Sequence, residues 1–223
     1  MTTIARTIDQ VPQRQHNHDR MRRADSWHRR STEVGSDAEK FIFLWISFNA
    51  AYGADVTSAY LEETPRERDK FGAFLQNIVD RDEDGLLETI LWDRIAPLIR
   101  RLLNNQYVFK PFWDAVSGSP GAERWQDQFR RANQRVSDAR RYRDVRGVLR
   151  EVFLRLYTLR NQLFHGGATY ATGWGGDQVR DGARIMEALV PVILDIMRVD
   201  IEINPKSDVW GLIAYPRINH EPQ

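Results

Sequence analysis

Cysteine is absent from this 223-residue chain. That excludes disulfides and every thiolate metal site, and it fits a reducing cytoplasm, the location expected for the chain. Lysine is nearly absent as well. Lys40, Lys70, Lys110 and Lys206 are the four in the sequence, so 28 of its 32 basic residues are arginine. No run of about 18 uncharged apolar residues occurs, which argues against a membrane span. The opening stretch MTTIARTIDQVPQRQHNHDR carries no apolar segment and does not read as a secretory signal. Strand-like alternation and internal repeats are missing too, which leaves helices as the expected building material.

The length suits one domain able to bury a proper core, and an apolar fraction of 42% excludes a chain disordered throughout. Net charge is only +1, yet the arginines are unevenly spread. Between Arg124 and Arg155 ten arginines stand against Asp127, Asp138, Asp144 and Glu151, a local excess of six positive charges. One explanation is a GC-rich genome and solvated helix faces. The other is polyanion binding, for which planar, bidentate guanidinium groups are suited. On the second explanation Arg146, Arg150 and Arg155 become candidate polyanion-binding side chains.

Residues 1–30 hold few large apolar groups and many Arg, Gln, Asn and His, and read as a flexible basic arm with a short helix around Asp19–Arg30. His16 and His18 lie close together in QHNHD but lack the further ligands a metal site requires. Residues 31–223 read as one helical domain, an all-α antiparallel bundle followed by an extended C-terminal tail. Its first helix is SDAEKFIFLWISFNAAYG, with Ser36 or Asp37 as cap and Gly53 as terminator. That helix is apolar on nearly all sides, so it belongs inside a bundle or at an interface. Asn49 sits within this apolar surround and is either a structural bracket or part of a site. Further helices follow in RERDKFGAFLQNIV, DGLLETILWDRIAPLIRRLLNN, AERWQDQFRRANQRVSDARRY, DVRGVLREVFLRLYTLRNQLFHGG and DQVRDGARIMEALVPVILDIMRV, with a short helical turn in YVFKPFWDAV. Pro97 is expected to kink or divide the second of these, and Pro191 to bend the last. In the tail, Trp210 and Tyr215 are the side chains able to pack back onto the bundle.

The stretch RNQLFHGG, residues 160–167, concentrates polar chemistry at a helix end. With Leu156 as origin and about 100° per residue, Leu149, Val152, Phe153, Leu159 and Leu163 form one apolar stripe within roughly 60° of it. Arg160 falls at about 40°, inside the stripe, whereas Asn161 at about 140° and His165 at about 180° lie opposite. An arginine on such a stripe either snorkels out or is held by buried partners and aimed at an anion. His165 precedes two glycines suited to end the helix. It is a C-terminal histidine stabilised by the helix dipole, and the same placement favours an imidazolium able to carry a proton near neutral pH. The split makes a single-chain site awkward and a site built from two copies of the helix natural.

Arg160 and Asn161, followed by three residues and His165, resemble the R-x4-H motif of HEPN domains. Trp45, Phe48, Asn49, Tyr52 and Gly53 resemble the W-x-x-F-N-x-x-Y-G stretch of Apea-like prokaryotic HEPN proteins. The resemblance covers most of residues 36–200, and nothing within the motif departs from the pattern. It implies a helical domain that dimerises through its motif helices and acts as a metal-independent endoribonuclease in toxin–antitoxin or phage-defence systems, with no cofactor. It also implies that His165 is the general acid/base, that Arg160 stabilises the scissile phosphate, and that Asn161 positions phosphate or histidine. An antitoxin or defence-system partner protein is expected on the same analogy. The alternative it leaves open is a non-catalytic HEPN module that binds RNA, nucleotide or a protein.

Overall fold

The computed structural model describes residues 11–53, 65–166 and 175–213. Among them there are nine α-helices and no strand. In chain order these are α1 (Gln13–Thr32), α2 (Asp37–Tyr52), α3 (Pro65–Asp80), α4 (Leu86–Thr89), α5 (Ala96–Asn104), α6 (Lys110–Val116), α7 (Trp125–Arg141), α8 (Val145–Phe164) and α9 (Gly176–Ile203). The protein is thus an all-α helical bundle. None of these helices is long and apolar enough to cross a membrane.

Local chemistry sets the helix ends. Ser36 caps α2: its Oγ accepts from the Glu39 N–H and its hydroxyl donates to the Glu39 carboxylate. Gly53 closes the same helix in the left-handed region at φ 70°. At Pro97 the expected helix divides. A π-helical turn, Ile90–Arg94, leads into Ile95, and α5 begins anew with the proline in its first turn, where a missing N–H costs nothing. Asp144 caps α8 by accepting from the Gly147 N–H. Helix α9 runs through Pro191 without a break in its assignment.

Aromatic rings fill the centre. Phe48 of α2 stacks on Phe153 of α8 with centroids 4.3 Å apart. Phe71 and Phe74 of α3 meet Phe48 edge-on, and Trp45 packs against Tyr157. Each fully buried ring of this kind contributes about 1.5–3 kcal/mol. The stripe read on α8 is the buried one: Leu149, Val152, Phe153, Leu156 and Leu159 are all inaccessible. Helix α2 lies between α1 and α9, while α8 is flanked by α3, α5, α7 and α9. Ion pairs join the rims, among them Lys40–Glu187, Arg101–Asp181 and Arg198–Asp25.

Over residues 13–30 the expected arm is instead part of α1. This helix runs through the supposed boundary at residue 30 and packs as a hairpin partner of α2, with Ser47 donating to the Ala24 carbonyl. Its inward face is polar. Gln13, Asn17 and Arg20 donate to backbone carbonyls of Pro205, Ser207 and Gly211 in the C-terminal tail, and His16 Nδ1 accepts from the Ile213 N–H. Positions 13, 16, 17 and 20 share one side of a helix. Composition rich in Arg, Gln, Asn and His reads as a flexible arm, but here these side chains satisfy the backbone of an irregular segment. The tail also anchors through Trp210, which is buried edge-on to Phe74 and donates to Asp200. Tyr215, expected to help, lies outside the described residues.

Arg20 is the centre of this clamp. It is fully buried and bonds the Ala51 carbonyl at 2.9 Å and the Gly211 carbonyl at 2.7 Å. Burial pulls its guanidinium down to about 10, so it remains charged at pH 7. A Cβ on Gly53 would stand 2.4 Å from Arg20 Nη1. Gly53→Ala therefore combines a left-handed backbone penalty with displacement of a charged hydrogen bond. A loss on the order of 2–3 kcal/mol is expected, read as a lower urea midpoint with unchanged slope.

Candidate functional site

Helix α8 carries its chemistry on the side away from the core. Residues 150, 154, 158, 161 and 165 recur every three or four positions, so they form one line along the helix. The upper part of this line, Arg150, Leu154 and Thr158, lines a cleft of about 640 Å³ between α7, α8 and the segment 108–111. The lower part is Asn161 and His165. From Thr158 to His165 the rise is about 10 Å at 1.5 Å per residue.

The cleft is strongly cationic. Arg131, Arg135, Arg150, Arg155 and Lys110 line it, and Glu151 is the single acid among its lining residues. Lys110 is held by Asp114 at 2.8 Å. Glu151 is buried, and its Oε1 accepts from Arg135 Nε at 3.1 Å and Arg135 Nη2 at 2.7 Å, with Arg150 Nη1 at 3.6 Å. The α7–α8 hairpin produces this convergence. A tight turn at Arg143, in the left-handed region at φ 56°, reverses the chain and sets residues 131–135 opposite 150–155.

Arg155 is the innermost of the group, with only 2% of its surface accessible. Its guanidinium carbon lies 4.1 Å from the Phe109 ring centroid and 5.2 Å from that of Phe129, and Nη2 reaches Asn133 Oδ1 at 3.5 Å. Its Nε has no hydrogen-bond partner among the described residues. Burial lowers its pKa to about 10, against the opposing pull of Glu151 and with a further push from Arg135. The aromatic rings here form a satellite cluster: Phe109 on Phe129, Phe129 on Trp125, and Trp125 on Phe112.

The motif residues sit at the lower end of α8. His165 is exposed as the helix C-cap, its N–H bonded to the Asn161 and Leu163 carbonyls. Gly166 follows at φ 70°, a turn that suits glycine, while Gly167 lies outside the described residues. Arg160 is half-buried, as its place on the apolar stripe implies, and its Nε is buried with no hydrogen-bond partner among the described residues. Nη1 donates to Asn161 Oδ1 at 3.0 Å, and the guanidinium lies 4.2 Å from the Phe164 ring centroid. The angular split between Arg160 and Asn161 is thus bridged by the length of the arginine side chain within one chain. Phe164 itself is half exposed. Gln162 donates to the Tyr107 carbonyl, which ties the segment before α6 to the motif turn.

The other candidates separate. Arg150 and Arg155 belong to the cleft. Arg146 does not: it is exposed on the first turn of α8 and donates to Gln76 Oε1 of α3 at 2.8 Å. Asn49 is half-buried on α2 and is not among the cleft residues. The arginine-rich stretch is accordingly two regions. Arg140 stacks on Trp92 and Arg143 pairs with Glu88 near the hairpin turn, whereas Arg131, Arg135, Arg150 and Arg155 face the cleft. Arg131, Arg135 and the aromatic cluster were not singled out in the sequence. The signal available was the i,i+4 spacing of the two arginines on an amphipathic helix. No group of three or more His, Asp or Glu side chains able to hold a metal ion occurs among the described residues.

Compared with known proteins, the chain matches no family model, no curated protein and no solved structure, so its own residues carry the functional argument.

Proposed function

We propose that this protein is a HEPN-type endoribonuclease that binds RNA along the polar side of α8 and cleaves it without a metal ion. The observation that carries the reading is the continuous line from the cationic cleft, through Thr158, to Asn161 and His165. Arginines with aromatic neighbours are the usual equipment for holding single-stranded RNA, and the R-x4-H set at the end of the line supplies acid–base and phosphate-binding groups.

In this reading Arg160, positioned by Asn161, binds the scissile phosphate and stabilises the charge that develops on it. The RNA 2′-hydroxyl loses its proton to a base and attacks the adjacent phosphorus. The P–O bond to the 5′-oxygen breaks, and that oxygen takes up a proton. The products are a 2′,3′-cyclic phosphate and a 5′-hydroxyl, with no net change in protons. One proton leaves and one arrives on opposite sides of the phosphorus, so a single exposed imidazole is poorly placed for both transfers. A homodimer joined near Phe164 supplies a second His165, which divides the roles of base and acid. On this reading the protein acts on cellular RNA in the cytoplasm. Activity of this kind needs restraint, and an antitoxin or other defence-system protein is the partner class it calls for.

Purified protein incubated with RNA in EDTA is expected to cleave it to 2′,3′-cyclic ends. His165→Ala and Arg160→Ala should each lose about 10²-fold or more in rate. Binding without any cleavage, equal in wild type and His165→Ala, would establish the alternative of a non-catalytic RNA-binding module. Sedimentation should give a dimer at micromolar concentration; a monomer that cleaves RNA at full rate sinks the composite site.

The cleft predicts a salt signature. The logarithm of RNA affinity should fall linearly with the logarithm of salt concentration. Removing one phosphate-contacting arginine, as in Arg131→Ala or Arg150→Ala, should flatten that slope by about 0.7. An unchanged slope in both variants would take RNA out of the cleft.

A further inference from the structure

The inner cleft holds more positive charge than a single internal phosphodiester would neutralise. Arg135 and Arg155 stand beside the one carboxylate of Glu151, which leaves one formal positive charge without counting Arg150, and Arg131 at the mouth adds a second. Arg135 and Arg131 are exposed and can swing, whereas Arg155 is fixed. The Arg155 guanidinium carbon lies over the Phe109 and Phe129 rings, which offer its N–H groups no lone-pair acceptor. The guanidinium has five donors and makes one long hydrogen bond, to Asn133. A buried cation held by rings and a distant amide has no anion in hydrogen-bond contact among the described residues, and Glu151 acts on it only at longer range.

An internal phosphodiester brings one negative charge. A phosphomonoester brings about 1.5 to 2 at pH 7, with three terminal oxygens for bidentate contacts. The second matches the excess. Around the charged floor, Val108, Pro111, Leu154 and Tyr157 give the cleft apolar walls, and its volume lies in the range of small-molecule pockets.

We infer that the cleft floored by Arg155 is a pocket for the terminal phosphate of a nucleotide, taking a phosphomonoester in preference to a diester. The source of that group is a free mononucleotide or the 5′-phosphorylated end of an RNA. The inference rests on the reading of this side of α8 as a phosphate-binding surface, but not on cleavage. An RNA end seated here would set its first nucleotides toward Thr158 and the motif turn, so cleavage would be measured from the end. A free nucleotide would occupy the same space and compete.

The experiment uses the full chain carrying His165→Ala, so that no RNA is consumed, and reads affinity by calorimetry. The probes are 5′-AMP against 3′,5′-cyclic AMP, and one short RNA with a 5′-phosphate against the same RNA with a 5′-hydroxyl. At least one monoester probe should bind about tenfold or more tighter than its counterpart. Arg155→Lys, which keeps the charge but loses the planar fork, and Arg135→Ala should each remove most of that preference. Arg22→Ala, on the exposed side of α1, should leave it intact. If Arg155→Lys fails to fold, Arg131→Ala and Arg135→Ala decide, since both side chains are exposed. Tighter binding of the phosphorylated RNA than of 5′-AMP identifies an RNA end; equal binding identifies a free nucleotide. Equal affinity within both pairs, or a preference untouched by Arg135→Ala and Arg131→Ala, overturns the pocket. The preference in His165→Ala together with wild-type protein that never cleaves RNA retains the pocket and loses the nuclease reading; wild-type cleavage without the preference does the reverse.

Discussion

The stacking of Phe48 on Phe153 is the contact on which the rest depends. It pins the middle of α8 against α2 and turns the whole apolar stripe of α8 into the core. Once that stripe is fixed, the helix has no rotational freedom left, and every residue opposite it has a determined direction. Arg150, Thr158, Asn161 and His165 therefore share one side because Leu149, Val152, Phe153, Leu156 and Leu159 share the other. The α7–α8 hairpin then brings a second set of arginines to that side.

Two buried arginines show how similar burial leads to different roles. Arg20 places its two terminal nitrogens on the carbonyls of Ala51 and Gly211, so it acts as a fastener between α1, the end of α2 and the tail. Arg155 lies over aromatic rings and faces a cleft with two other arginines around one glutamate. Burial depresses both guanidinium groups to about 10, yet both stay charged at neutral pH. The difference lies in their surroundings. Backbone carbonyls complete the first, while the second stands at the edge of an open volume. A burial-induced shift alone does not separate a structural arginine from a binding one; the neighbouring space does.

Helix periodicity was legible throughout the bundle. The apolar stripe of α8, the Ser36 cap, the Gly53 terminator and the division at Pro97 all follow from side-chain spacing and backbone rules that act within a few residues. Arg160 leaning on the stripe was legible for the same reason. What failed was the fate of polar stripes. Gln13, His16, Asn17 and Arg20 have the composition of a flexible arm, and only the tail, nearly two hundred residues away in sequence, makes their burial favourable. The count of arginines from Arg124 to Arg155 also misled as a single region. The hairpin sends Arg146 toward α3 and Arg131 toward the cleft, although both belong to one charged run.

The sequence by itself determined the class of fold, the helix ends at Ser36, Gly53 and Pro97, and the placing of Arg160, Asn161 and His165 at the end of α8. These are local quantities, set by periodicity, caps and the dihedral preferences of glycine and proline. Only the tertiary structure decided which arginines meet, that Asn161 and His165 continue the line of the cleft, that the Arg160 head reaches Asn161, and that the first helix holds the last described segment. Those depend on which faces the core consumes and on contacts between residues far apart in the chain. No window of sequence contains both partners of such a contact, so the pattern within a window cannot specify it.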